Sequence, residues 1–157
     1  MATSTPATKT LEKAGIAFEL VQYDYAPGND RVGLQAADAI GAPPGQVFKT
    51  LMVELDGKPV CAILPSDREL NMKKCAKALK GKSAAMMDPQ KAERLTGYKV
   101  GGISPLGSRK RLPAALDASA KRYDTIFLNG GQRGLQVKLK PGDLIKLLGC
   151  QVEDLVR

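Results

Sequence analysis

The chain has 157 residues, 43% hydrophobic and 25% charged, which suffices for one domain with a buried core and excludes a disordered composition. It contains no histidine, so Ser-His-Asp and Cys-His catalysis, imidazole general bases and the commonest metal ligand are excluded. An excess of 24 Lys+Arg over 16 Asp+Glu leaves a formal charge of +8, which favours a polyanionic partner, nucleic acid first, although solubility alone also accounts for it.

No apolar run approaches the ~20 residues of a membrane-spanning helix. The opening MATSTPATKTLEKAG lacks the basic-then-apolar layout of a secretory signal, so a soluble cytoplasmic protein with no membrane partner is expected. Cys61, Cys75 and Cys150 are far apart and form no CxxC pair, which suggests neither a disulfide framework nor a zinc site. Neither a metal nor a cofactor is expected.

In chain order, Thr5-Pro6 opens a helix to about Ala14, with Gly15 as its stop. Ile16–Tyr25 reads as a strand, Ala26–Gly33 as a loop, and Leu34–Ile40 as a short helix ended by Gly41 and Pro43-Pro44. Val47–Leu55 (VFKTLMVEL) and Pro59–Leu64 flank Asp56-Gly57 and predict a hairpin. Met72, Cys75, Ala76 and Leu79 then recur at helical spacing after an Asn71 cap and before Gly81, with Lys73, Lys74, Lys77 and Lys80 elsewhere on the same helix. Ser83–Met87 reads as a short strand and Pro89–Leu95 as a helix capped by Asp88. TIFLNGGQRGLQVKL is a second hairpin about Asn129-Gly130-Gly131, Pro141 starts a last helix, and Gln151–Val156 ends the chain as a strand or short helix. Without a βαβ repeat, the fold class is α+β, one domain over residues 1–157.

Lys49 is the first oddity. Alternation puts it on one strand face with Val47, Leu51, Val53 and Leu55, where an ammonium group is costly to bury unpaired. It either snorkels to an edge or supplies a fixed positive charge to a phosphate or oxyanion. In a histidine-free chain it is the leading catalytic candidate. The second oddity is GGISPLGSRKR (Gly101–Arg111), whose glycines and Pro105 make either a tight connection or a loop that offers N–H groups to an anion. Gly102–Gly107 has phosphate-loop spacing, but Ser108 stands where that motif needs lysine, so ATP binding is not supported. The turn NGGQRG carries more glycine than a hairpin needs, which suggests a bulge or room for a ligand. Aromatic residues are only 4%, so RNA would be held through phosphates by Lys73, Lys74, Lys77, Arg109, Lys110, Arg111 and Arg133, with one terminal base in a pocket.

Taken together, FKTL (Phe48–Leu51), TGYKVGGISPLG (Thr96–Gly107), KRLP (Lys110–Pro113) and GGQRGLQV (Gly130–Val137) resemble the YbaK/EbsC family of free-standing aminoacyl-tRNA deacylases. That family is similar to the editing domain of bacterial prolyl-tRNA synthetase. The resemblance implies a mixed, barrel-like β-sheet flanked by helices that takes the acceptor end of aminoacyl-tRNA, with prolyl-tRNA synthetase as a further partner and no DNA. It implies hydrolysis of Cys-tRNA(Pro), and of Cys-tRNA(Cys), through attack of the substrate's own thiol on its ester. By the same resemblance Lys49 is the key active-site residue, Gly101, Gly102, Ile103, Ser104 and Pro105 line the aminoacyl pocket, and Tyr23, Phe48 and Thr50 match pocket positions. Near the hairpin, Asn129 and Gln136 depart from the pattern, where relatives often carry a small hydroxyl and an acidic residue; Gly130 and Gly131 lie beside them. A deacylase for another small residue such as alanine, and a non-catalytic aminoacyl-tRNA-binding module, are the alternatives.

Overall fold

The computed structural model describes residues 4–26 and 32–157. Helix α1 (Pro6–Lys13) starts at a reciprocal cap: the Thr8 N–H donates to the Thr5 hydroxyl at 3.1 Å, and the Thr5 N–H donates to the Thr8 hydroxyl at 2.8 Å. Strand β1 (Glu19–Gln22) is shorter than the predicted Ile16–Tyr25 and pairs with Leu135–Lys138. The predicted Ala26–Gly33 loop lies mostly outside the described residues, and helix α2 (Val32–Ile40) begins two residues before the predicted start at Leu34.

Strands β2 (Phe48–Leu55) and β3 (Lys58–Pro65) form the predicted hairpin. Asp56 (φ 50°) and Gly57 (φ 83°) both take positive φ, as a two-residue type I′ turn demands. Helix α3 (Met72–Ala78), strand β4 (Ala84–Met86) and helix α4 (Pro89–Thr96) follow, the helices capped by Asn71 and Asp88 as expected. Strand β5 (Ala114–Asp117) and a 3-10 turn (Ala118–Arg122) occupy a stretch that the sequence reading left without an element. Strands β6 (Ile126–Asn129) and β7 (Leu135–Leu139), helix α5 (Pro141–Leu148) and strand β8 (Gln151–Glu153) complete the order, and the C-terminal segment is a strand rather than a helix.

The strands form two sheets, ordered β1-β7-β6 and β4-β2-β3-β5-β8. The first is antiparallel; the second is antiparallel from β4 to β3 and parallel from β3 to β8. The class is α+β as expected, with mixed sheets flanked by helices. Among the described residues the sheets meet at one parallel bridge, Val47 to Phe127, and do not close into a barrel, since the pairing of β6 with the start of β2 goes no further. One face of the five-stranded sheet packs Phe48, Met52, Ile63 and Leu116 against Leu11, Leu128, Val137 and Leu144. The other packs Val53, Val60, Ala62 and Leu64 against Cys75 of α3 and Leu155. Buried Asp117 accepts from the N–H groups of Leu155 (2.9 Å) and Ser119 (3.2 Å), so the C-terminal tail is held to β5.

Candidate active site

The outer edge of β2 is shared by two strands that do not touch each other there. Strand β6 reaches it at Val47, and β4 pairs with Val53–Leu55, with a last bond from the Met87 N–H to the Met52 carbonyl at 3.1 Å. Between them β2 is unaccompanied, and a cleft of about 240 Å³ opens in the wedge. Phe48–Met52 form one wall, Met86, Met87, Pro89 and Ala92 a second, and Val100, Gly101 and Ile103 a third, with Asn129 and Gln136 closing the end. Helix α4 is tied to β2 by Lys91, whose ammonium lies 2.7 Å from the Glu54 carboxylate.

Lys49 is the sole charged side chain among the described residues that line the cleft. Because the wedge opens at a strand edge, it is reached from both strand faces, and Lys49 borders it from the face that alternation assigned. Burial pushes the Lys49 ammonium below its ordinary value, partly offset by the negative charges of Glu69 and Asp67. Among the described residues it forms no ion pair. An unpaired cation held in an apolar cleft is set to receive an anion or a developing oxyanion.

Thr50 adds neutral hydrogen-bonding groups. In the β2–β3 register, Lys49, Leu51 and Val53 exchange their main-chain bonds with β3, so the N–H and carbonyl of Thr50 point to the open edge. Its hydroxyl is buried without a partner, as are the Gln136 amide oxygen and the Tyr23 hydroxyl. Burial raises the Tyr23 phenol, with opposing contributions from the Gly134 backbone and the Gln136 side chain, so Tyr23 stands behind Gln136 rather than on the cleft wall. Buried polar atoms are as a rule hydrogen-bonded, so these three mark where a polar ligand would find partners.

Asn129 joins the two glycine-rich loops. Its side-chain oxygen accepts from the N–H groups of Gly131 (2.7 Å) and Gln132 (3.1 Å), while its amide donates to the Gly101 carbonyl at 3.1 Å. The loops meet so closely that a Cβ on Gly102 would stand 2.9 Å from the Arg133 nitrogen and 3.1 Å from the Gln132 carbonyl carbon. Of the predicted loop residues, Gly101 and Ile103 face the cleft, whereas Gly102 turns to the neighbouring loop and Ser104 and Pro105 line a separate cavity behind it. Gly130 and Gly131 sit on the far side of Asn129, where the Thr5 hydroxyl donates to the Gly130 carbonyl at 2.5 Å.

Several predicted phosphate-binding cations are occupied by the protein itself. Lys74 bonds Asp154 (2.7 Å) and the Val156 carbonyl (2.8 Å), Arg111 donates to the Leu148 carbonyl at 3.3 Å, and Arg133 donates to the Val100 carbonyl at 2.9 Å with its guanidinium over the Tyr25 ring. Arg133 therefore braces the cleft's third wall from outside. Lys73, Lys77, Arg109 and Lys110 are exposed. Sequence reasoning missed Met86, Met87, Pro89, Ala92 and Val100, whose only signal was a pair of adjacent methionines just before the Asp88 cap.

Among the described residues no group of three His, Cys, Asp or Glu side chains comes together as metal ligands, and no helix is long and apolar enough to cross a membrane. The cysteines lie off the cleft. Burial pushes the Cys61 thiol up to about 12 and raises those of Cys75 and Cys150. A soluble disulfide reagent at pH 8 is expected to label only the half-buried Cys150 at an appreciable rate, with Cys61 and Cys75 following on denaturation. Fast native-state labelling of Cys61 would contradict this assignment.

The aminoacyl-tRNA editing domain family matches residues 32–147. EbsC of Enterococcus faecalis, provisionally named a Cys-tRNA(Pro)/Cys-tRNA(Cys) deacylase, is 33% identical over 154 residues, covering 96% of this chain and 92% of that protein. A proline–tRNA ligase of Acidithiobacillus ferrooxidans is 33% identical over 117 residues, which cover 70% of this chain and 20% of the ligase. A crystal structure described as that of a provisional trans-editing enzyme for prolyl-tRNA synthetase superposes with a TM-score of 0.85 at 26% identity, covering 100% of this chain and 98% of that one.

Proposed function

The chain belongs to the aminoacyl-tRNA editing domain family, and from that premise we propose that it is a single-domain deacylase acting in trans on Cys-tRNA(Pro) in the cytoplasm. Cys-tRNA(Cys) is a second substrate of the same chemistry. The observation that carries the reading is the composition of the cleft. It offers one ammonium, one hydroxyl and two amides, and among the described residues no carboxylate, thiol or imidazole to act as nucleophile or base.

Such a site can still cleave an ester if the substrate brings its nucleophile. The cysteinyl sulfur attacks its own ester carbonyl, a C–S bond forms and the bond to the tRNA ribose oxygen breaks. The thiol proton ends on the departing 3′-hydroxyl, and the product is a cyclic thiolactone. The protein's share is to hold thiol and carbonyl together and to stabilise charge on the carbonyl oxygen. Lys49 supplies that charge, Thr50 and Gly101 position the aminoacyl group, and Gln136 with Tyr23 behind it meets the terminal ribose. Exposed Lys73, Lys77, Arg109 and Lys110 supply cations for the acceptor-stem phosphates, and prolyl-tRNA synthetase is the natural source of the charged tRNA.

The reading is tested by deacylation of proline tRNA charged with cysteine, serine or alanine. Cysteine is expected to be released at least tenfold faster than either of the others, since neither brings a thiol. Equal rates for alanine would replace the substrate with another small residue. Saturable binding without turnover, which an amide at Gln136 in place of a carboxylate would favour, would make the protein a binding module.

A further inference from the structure

A second cavity, of about 210 Å³, lies behind the cleft. It is lined by Cys61, Leu106, Leu112, Ala114, Leu147 and Leu148, with Thr96, Ser104, Ser108 and Arg111 among its polar residues. The two spaces adjoin. Ile103 faces the cleft and its neighbour Ser104 faces the rear cavity, so one extended segment forms part of the wall. Met52 is the one described residue that lines both spaces. Its cross-strand partner is Cys61, which belongs to the rear cavity.

Exposure gives the cleft a direction. Met86 is 52% exposed at the mouth, whereas Met52 is 5% exposed at the bottom. A group that enters past Met86, on the Val53 face, and crosses the open edge of β2 therefore ends its path on the Met52 thioether, on the other face. We propose that Met52 is the residue that sets how long an aminoacyl side chain the cleft accepts, by standing between it and a rear cavity of nearly equal size. This rests on the proposed function insofar as the group entering the cleft is an aminoacyl side chain.

The physical argument is one of volume. Methionine is unbranched and fills irregular gaps, so it seals the partition without a rigid fit. A short side chain ends before Met52, while a longer unbranched one has nowhere to go unless Met52 is removed. Truncation to alanine opens the cleft into apolar space already present, where each further methylene of a ligand gains from burial. Leucine at this position has similar bulk and keeps the seal.

The test measures binding separately from turnover. Amide-linked alanyl-, norvalyl- and norleucyl-adenosine, which cannot be deacylated, are titrated into wild type, Met52→Ala and Met52→Leu by calorimetry, with melting curves to verify that each variant is folded. Wild type and Met52→Leu are expected to bind norleucyl at least tenfold more weakly than alanyl, and Met52→Ala to erase or reverse that preference. Unchanged discrimination in folded Met52→Ala, discrimination lost equally in Met52→Leu, or no binding of any analogue would overturn the inference. Deacylation of Cys-tRNA(Pro) is assayed in parallel. Size discrimination in binding without any turnover would remove the hydrolytic reading while leaving the role of Met52 intact.

Discussion

Lys49→Met is expected to remove most deacylation while leaving the protein at least as stable as wild type. Loss of one preorganised group that stabilises an oxyanion typically lowers kcat by ~10²–10³-fold, and Lys49 is the sole described charge on the cleft wall. The stability side runs the opposite way from an ordinary core substitution. The Lys49 ammonium is half-buried and unpaired among the described residues, so charging it is costlier in the folded chain than in the unfolded one, and methionine occupies similar space without that cost. The sign with pH follows from the lowered value. The cost is present in full below the folded-state value of Lys49 and fades as pH rises from there to the ordinary lysine value of 10.5. The melting-temperature gain of Lys49→Met over wild type should therefore be largest near neutral pH and shrink toward pH 10. Calorimetric melting across pH 6–10 together with a Cys-tRNA(Pro) assay reads both effects. A variant that melts lower yet keeps its rate would mean that Lys49 is a packing residue.

Asn129→Ala carries the second large effect, through geometry rather than charge. It strips partners from the Gly101 carbonyl and from the Gly131 and Gln132 N–H groups at once. Leaving buried polar groups unsatisfied costs ~1–3 kcal/mol each where water cannot reach them, so a drop of about 2–3 kcal/mol in unfolding free energy is expected. The cleft wall at Gly101 also loses its tether to β6, and kcat/KM should fall by ~10–100-fold, as it does when a reacting group is slightly misplaced. Asn129→Asp separates the two roles. Its oxygens still accept from the Gly131 and Gln132 N–H groups, but it has no N–H to give the Gly101 carbonyl. Most of the stability should return while the rate stays low. Denaturant melts and steady-state kinetics on both variants decide the point, and a full-rate Asn129→Asp would show that the tether to Gly101 is dispensable.

The parts of the fold that could be read from sequence are those whose causes are local. Asp56-Gly57 names its turn because few residues take positive φ twice in succession, and Asp88-Pro89 with Gly97 marks both ends of α4 within ten residues. Strand β5 was missed for the converse reason. All four of its residues are buried and its neighbours β3 and β8 run parallel to it from distant parts of the chain, so alternation is absent and no turn announces it. The same division runs through the site. Lys49 stood out because a lysine in an apolar strand violates a local rule. The wedge around it depends on where β4 and β6 leave β2, and no window of sequence holds all three strands. Gly101–Pro105 divides at single-residue scale: Gly101 and Ile103 line the cleft, Ser104 and Pro105 line the rear cavity, and Gly102 faces the Arg133 loop.

The gap between β4 and β6 has one more consequence. An open strand edge invites another chain to extend the sheet, and proteins usually guard such edges with proline, charge or a covering element. Here the guard is length. Strand β6 holds the edge at Val47 and β4 holds it from Val53 with the Met87 bond to Met52, so a foreign strand finds too few free positions to register a ladder. A small planar group such as an ester still fits. The chain can thus keep main-chain donors and acceptors open to a ligand without becoming a template for aggregation.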